Sequence, residues 1–168
     1  MPDVWAAFPE LDAAMQERLA GILEMRGADP QQREMRQTFL ADVSFPTNAH
    51  VLEVGCGTGV LTRTLALWPN VSAVMGVDMA SSLLSKAREL AVDLSNLTCQ
   101  QADARSLPFE DEVFDVVVFH TTLTHVPDPE LALAEAFRVL RPKGWVAVFD
   151  GDYATGTVAL SEHDLLQA

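Results

Sequence analysis

Three carboxylates in this chain stand where chemistry can use them. Glu53 lies two residues before the first glycine of Gly55-Cys56-Gly57-Thr58-Gly59, Asp78 closes Gly76-Val77-Asp78, and Asp103 sits in Ala102-Asp103-Ala104. Each follows a run with strand character. Glycines at alternate positions let the backbone turn sharply after a strand and let a ligand reach the main chain with no Cβ in the way. Their spacing bears on the ligand. A dinucleotide fingerprint has glycine at its first, third and sixth positions, with a pyrophosphate at the following helix N-terminus. Here the sixth position is Val60. Glu53 repels a pyrophosphate but suits an ammonium, met directly or through water. Asp78, about 20 residues beyond the glycines, is placed to accept both hydroxyls of a ribose. Met79 offers a polarizable surface to an adenine ring, and Asp103 can accept a hydrogen bond from its amino group. Taken singly, each has a plainer reading: a tight turn, a helix cap (which Ser81 or Ser82 already supplies), core filler, a loop carboxylate. Three carboxylates at three successive strand ends on one sheet edge outweigh those readings.

Only a parallel sheet brings these strand ends together. After a helical preface, strands are predicted at His50–Val54, Val71–Val77, Leu97–Gln101, Asp115–Phe119 and Trp145–Phe149. Helices alternate with most of them. Gly59–Leu67 follows the first strand and Ser82–Leu94 the second, with Leu83, Ala87, Leu90 and Leu94 on one face. A helix opened by Asp128-Pro129 puts Leu133, Phe137 and Leu140 inward. This order implies a doubly wound α/β sheet with right-handed crossovers, and three consecutive valines mark a strand buried on both faces. The preface reads as two helices. Leu11, Met15, Leu19, Ile22 and Leu23 have helical spacing with Gly27 as C-cap, and Asp29-Pro30 starts a second helix carrying Met35, Phe39 and Leu40. The division is a helical extension or lid over 1–45 and a core over 46–168, together one domain.

Composition narrows the partners. A net charge of −13, with Lys and Arg totalling only 11 and scattered, disfavours phosphate backbones, so no nucleic-acid partner is expected. No apolar run spans a bilayer, the N-terminus lacks a basic leader, and two cysteines suit a reducing cytoplasm.

Four stretches carry a resemblance. Val51–Gly59, Gly76–Ala80, Asp103–Phe109 with Phe114-Asp115, and Thr124–Pro129 with Arg138–Gly144 are similar to the class I S-adenosylmethionine methyltransferases. Within that family the nearest branch is the small-molecule one, which includes the ubiquinone and menaquinone biosynthesis C-methyltransferases. The resemblance covers about three-fifths of the chain. It departs where the family's paired glycines before strand five become Gly144-Trp145. It implies S-adenosyl-L-methionine as cofactor, S-adenosylhomocysteine as product and a small-molecule acceptor. It also implies that Glu53, Gly55, Cys56, Gly57, Gly59, Asp78, Met79, Asp103, Ala104 and His120 line the cofactor, His120 mainly through its backbone.

The acceptor site is less defined. His125, one short turn beyond strand four, is the candidate base, set against a purely packing role beside Pro127. Asp150, Asp152 and Tyr153 are further acceptor-pocket candidates, and Trp5 and Phe8 either cover an apolar acceptor or simply pack. Two alternatives stay open: a module that binds the cofactor without turnover, and a nicotinamide-dependent oxidoreductase, against which Val60 and Glu53 argue. In the family a helix and two more strands follow strand five, whereas here 19 residues follow, with Ser161 capping a short helix. The expectation is a core ending early, either because the chain is a fragment of a longer methyltransferase, the favoured reading, or with the strand-five edge covered by another copy.

Overall fold

The computed structural model describes residues 3–151. Asp152, Tyr153 and the Ser161 cap lie outside the described residues. A single 3-10 turn at Phe8–Glu10 leads into α1 (Ala13–Ala28) and α2 (Pro30–Ala41). Then come β1 (Ala49–Val54), α3 (Val60–Ala66), β2 (Val71–Asp78), α4 (Ser81–Leu90), β3 (Leu97–Gln101), β4 (Phe114–His120), a 3-10 turn at Leu123–His125, α5 (Pro129–Val139) and β5 (Leu140–Phe149). The five strands are all parallel, in the order β3-β2-β1-β4-β5. The chain therefore winds outward from β1 in both directions, and the crevice between the ends of β1 and β4 is the topological switch point where such sheets take ligands.

The strand pleat sorts side chains into two cores. Leu52, Val54, Val117 and Phe119 face Ala132, Ala136 and Val139 of α5. On the other face Val51, Val74, Val116 and Val118 meet Leu61 and Leu65 of α3 and Leu40 of α2. Val116 through Phe119 are fully buried, so β4 is the double-faced central strand its valines promise. Each such side chain contributes about 1.5–3 kcal/mol of burial. A third cluster, Phe8, Leu19 and Ala20 with Ala80 and Leu83, docks the N-terminal segment and α1 against the start of α4, at the ligand end of the sheet.

Several expectations need correcting. Gly27 does not cap α1, which runs on through Ala28; it is small because Val60 leaves no room for a Cβ, whose nearest contact would be 2.7 Å. Asp29 caps α2 as expected, accepting from Gln32 N (2.9 Å). Neither Ser81 nor Ser82 caps α4: both are within the helix, whose N-cap is Ala80 with no side-chain bond. The helix also stops at Leu90, leaving Leu94 to pack from a turn. Asp128 precedes α5 in a left-handed conformation (φ 54°) without a side-chain cap; Leu133 and Leu140 reach the core as expected, whereas Phe137 does not. Ala132, Ala136 and Val139 point inward, and Phe137 is 65% exposed. β5 starts early, at Leu140, and bulges before rejoining β4 at Trp145. The positive φ of that bulge is at Lys143 (68°), and at Gly144 a Cβ would lie 2.7 Å from Asp115 O. The two demands that paired glycines meet thus fall on Lys143-Gly144, not on Gly144-Trp145. Among the described residues β5 pairs only with β4.

Candidate functional site

A cavity of about 300 Å³ opens where the ends of β1, β2 and β4 meet the N-terminal segment and α1. Glu53, Gly55, Cys56, Gly57, Asp78, Met79, Asp103, Ala104, His120 and His125 all line it. Gly59 does not. It sits at φ 79° at the head of α3, where a Cβ would press on Ala87 of α4 (3.1 Å), so it serves helix packing. Gly55 and Gly57 do face the cavity, with φ of 75° and 54°. A Cβ on Gly55 would overlap Thr122 of the loop after β4, and one on Gly57 would meet Leu23 of α1 at 3.1 Å. The glycine turn is thus gripped from both sides. Cys56 tucks its Sγ over Gly76, 3.0 Å from where a Cβ would be.

The carboxylates differ in what holds them. Glu53 is 3% exposed and accepts a hydrogen bond from the Thr62 hydroxyl of α3. Burial pushes its carboxyl up to about 8, against that hydrogen bond. Asp78 ties the loop to β2: Oδ2 accepts from Gly57 N (2.9 Å) and Oδ1 from Ala80 N (2.8 Å), while burial raises its carboxyl. With one bond on each oxygen, lone pairs remain for a ligand. Asp103 is different. Its Oδ1 takes Arg105 N (2.9 Å) and Nε (3.1 Å), its Oδ2 takes Nη2 (2.8 Å), and these Arg105 bonds hold it below the usual carboxylate range. The expected free acceptor for an adenine amino group is therefore largely engaged within its own loop.

His120 lines the cavity at the end of β4. The imidazole stacks on Phe149 (centroids 5.0 Å apart, 13° between planes), and its carbonyl accepts from the Thr122 hydroxyl (3.2 Å). Burial first, then the guanidinium charges of Arg36 and Arg26, pull its pKa down to about 4. His125 has a partner that sequence reasoning missed: its Nδ1 lies 2.6 Å from Asp3 Oδ2. Asp3 also accepts from Trp5 N (2.9 Å), so one carboxylate folds the N-terminal segment and pins it to the loop after β4. Asp150 turns away from any acceptor pocket. It accepts from Thr122 N (3.1 Å), Thr124 N (3.2 Å) and the Thr124 hydroxyl (3.1 Å), and so orders that same loop.

Thr62, Thr122 and Arg36 were also missed. Thr62 is a buried hydroxyl one helix turn from the loop. Arg36, on a helix rich in Gln and Arg, reads from sequence as solvated surface, yet it is buried in the cavity wall. No sequence signal separates it from its exposed neighbours. Among the described residues there is no cluster of metal-ligating side chains, and no helix is long and apolar enough to cross a membrane.

Fold and site together define an α/β ligand-binding domain with acidic groups at the switch point of a parallel sheet. Residues 52–148, more than half of the chain, match the methyltransferase domain family, and the chain belongs to that family. Among its relatives is a demethylmenaquinone methyltransferase of Staphylococcus aureus, 34% identical over 127 residues that cover 74% of this chain and 52% of the relative. Among solved structures, the YcgJ protein of Bacillus subtilis superposes with a TM-score of 0.66 at 27% identity, over 70% of this chain and 50% of that one. A structure named as the [4+2]-cyclase SpnF also gives 0.66, at 26% identity, over 73% of this chain and 47% of that one. The chain spans about half the length of the curated relatives it matches.

Proposed function

We propose that this chain binds S-adenosyl-L-methionine and takes part in transferring its methyl group to a small-molecule acceptor, with S-adenosylhomocysteine as product. The observation that carries the reading is the convergence of Glu53, Asp78 and the glycine turn at Gly55 and Gly57 on one cavity. The residues present fit such a cofactor. Asp78 has lone pairs for ribose hydroxyls, Met79 and Ala104 give adenine an apolar seat, and buried Glu53 regains its charge when an ammonium meets it. Gly59 has no part in this contact, and Cys56 and Asp103 contribute through loop shape.

When bound, the cofactor supplies an already activated methyl group. The chain's own task is then to align the partners and exclude water. Trp5 and Phe8, stacked on each other (6.1 Å, 1°), close the cavity from the N-terminal side. His125 is the base: with Nδ1–H given to Asp3, Nε2 keeps its lone pair for an acceptor proton. A volume of about 300 Å³ is at the small end for ligand sites. Two cysteines that form no disulfide with each other suit a reducing, cytoplasmic setting for the reaction.

The demethylmenaquinone relative favours an apolar ring compound as acceptor. A second reading, cofactor binding without methyl transfer, is favoured by the match to a protein named as a cyclase. The test is a thermal shift. S-adenosylhomocysteine should raise the melting temperature and NADH should not; a shift with NADH alone would sink the assignment.

A further inference from the structure

Cys56 and Cys99, far apart in sequence, meet over one glycine. Gly76 of β2 pairs in register with Cys99 of β3. Two residues earlier, Val74 and its partner Leu97 both pack into the core beneath α3, so Gly76 and Cys99 face that same side of the sheet. Cys56 leans onto the place where Gly76 lacks a side chain: its Sγ is 3.0 Å and its Cβ 3.1 Å from where a Cβ of residue 76 would stand. No side chain of residue 76 therefore separates the two sulfurs.

The two thiols are unequal. Cys56 is 5% exposed, whereas Cys99 is only partly buried, on the strand that ends the sheet among the described residues. Each acts first on the other. The Cys56 thiol beside it holds the Cys99 thiol below its ordinary value, and the guanidiniums of Arg88 and Arg63 add to that against burial. Cys99 and burial together push Cys56 well up. Arg88 is fixed there by two bonds to the Cys99 carbonyl, from Nε (3.3 Å) and Nη2 (2.9 Å). A reachable thiolate next to a buried, protonated thiol is the arrangement that oxidants convert to a disulfide. Neither sulfur is used by the transfer reaction proposed above.

We infer that Cys56 and Cys99 form an oxidation site, which a hydroperoxide converts to a disulfide that displaces the glycine turn and weakens cofactor binding. The weakened binding rests on the cofactor reading above; the disulfide does not. The Cys99 thiolate attacks a peroxide oxygen and breaks the O–O bond, giving a sulfenic acid and, from hydrogen peroxide, a hydroxide that takes up the proton Cys99 had released. The Cys56 sulfur then attacks the Cys99 sulfur; the S–O bond breaks, and the departing hydroxide takes the Cys56 proton. The thiols together lose two electrons, and the peroxide is reduced to water. Adjacent strands lie about 4.8 Å apart, whereas Cβ atoms joined through a disulfide lie roughly 3.5–4.5 Å apart, so closure draws Cys56 toward β3. Gly55 N and Cys56 N both donate to Val77 O (2.8 and 2.9 Å), and Gly57 N donates to Asp78 Oδ2 (2.9 Å). The turn that moves with Cys56 thus carries the bond that orients Asp78.

Mass spectrometry and calorimetry on the reduced 168-residue chain, before and after a small excess of hydrogen peroxide, test this. Non-reducing digestion should link the Cys56 and Cys99 peptides within one chain, and dithiothreitol should separate them. S-adenosylhomocysteine should bind about 10-fold or more weaker after oxidation, the loss expected for about one charge-assisted hydrogen bond, and recover on reduction. Cys99→Ser should bind it equally before and after peroxide. Thiols that both stay open to alkylation, or that link two chains instead of one, would overturn the site. A linked protein of unchanged affinity overturns its effect on the turn. Equal peroxide sensitivity in Cys99→Ser also does so, assigning the sensitivity elsewhere, as to the exposed Met79. If the reduced wild type binds no S-adenosylhomocysteine, the cofactor reading fails and the weakened binding with it, while the peptide map still decides the disulfide.

Discussion

Glu53 shows how much a single residue's environment adds to its identity. From sequence it is an acid before a glycine loop; in the structure it is fully enclosed, with a carboxyl raised to about 8 from an ordinary 4.5. The folded protein thus retains a proton that the unfolded chain gives up. Stability from this group falls as pH rises between about 4.5 and 8, because there the unfolded state binds fewer protons. Glu53→Gln cannot ionise. Its melting temperature should equal that of wild type near pH 4.5 and exceed it increasingly toward pH 8. A constant difference across that range would show that Glu53 is charged in the empty site. At this scale the sequence was legible for Glu53, Asp78 and Met79, whose types and spacing put them at strand ends that the structure brings onto one cavity. It was not legible for Arg36 or Asp3. Their roles come from contacts between segments far apart in the chain, as in the Asp3–His125 pair, and no local pattern encodes those.

Secondary-structure elements were legible where periodicity and strand composition agree. The five strands and five helices were all anticipated, because β4's valines, the alternating strands and the Asp29-Pro30 start are local signals. The errors arose where tertiary packing overrides local preference. Gly27 is the clearest case: glycine near a helix end reads as a cap, yet Val60 is what requires it. Alanine in a helix interior ordinarily gains about 0.5–1 kcal/mol over glycine. Here Gly27→Ala should instead destabilise the protein, since its Cβ would sit 2.7 Å from a stiff Val60 methyl. Combining it with Val60→Ala should restore the ordinary sign. Denaturant unfolding of the two variants checks this, and a stabilised single variant would show that α1 can move away from α3 freely. α5 teaches the same lesson: Leu133 and Leu140 pack inward as their spacing implies, but Ala132 and Ala136 fill the core beside them and Phe137 turns out to solvent.

At the scale of the molecule, a sheet provides the floor of the site and the N-terminal segment provides its roof. The roof is tied down by the Phe8 cluster, the Leu23 contact over Gly57, the Glu24–Arg63 ion pair, the Gln16–Ser82 hydrogen bond and the Asp3–His125 pair. Asp3→Ala should release one of these and speed dissociation of S-adenosylhomocysteine several-fold in stopped-flow, with little change in melting temperature. An unchanged rate would mean that the remaining contacts hold the segment without Asp3. The central claim, that the acidic crevice is an adenosine-cofactor site, is met most directly by calorimetric titration of S-adenosylhomocysteine into wild type and Asp78→Ala. The account predicts one site in the wild type and a loss of about 1.5–3 kcal/mol in the folded variant, one charge-assisted bond or more. Equal affinity in the two proteins would contradict it.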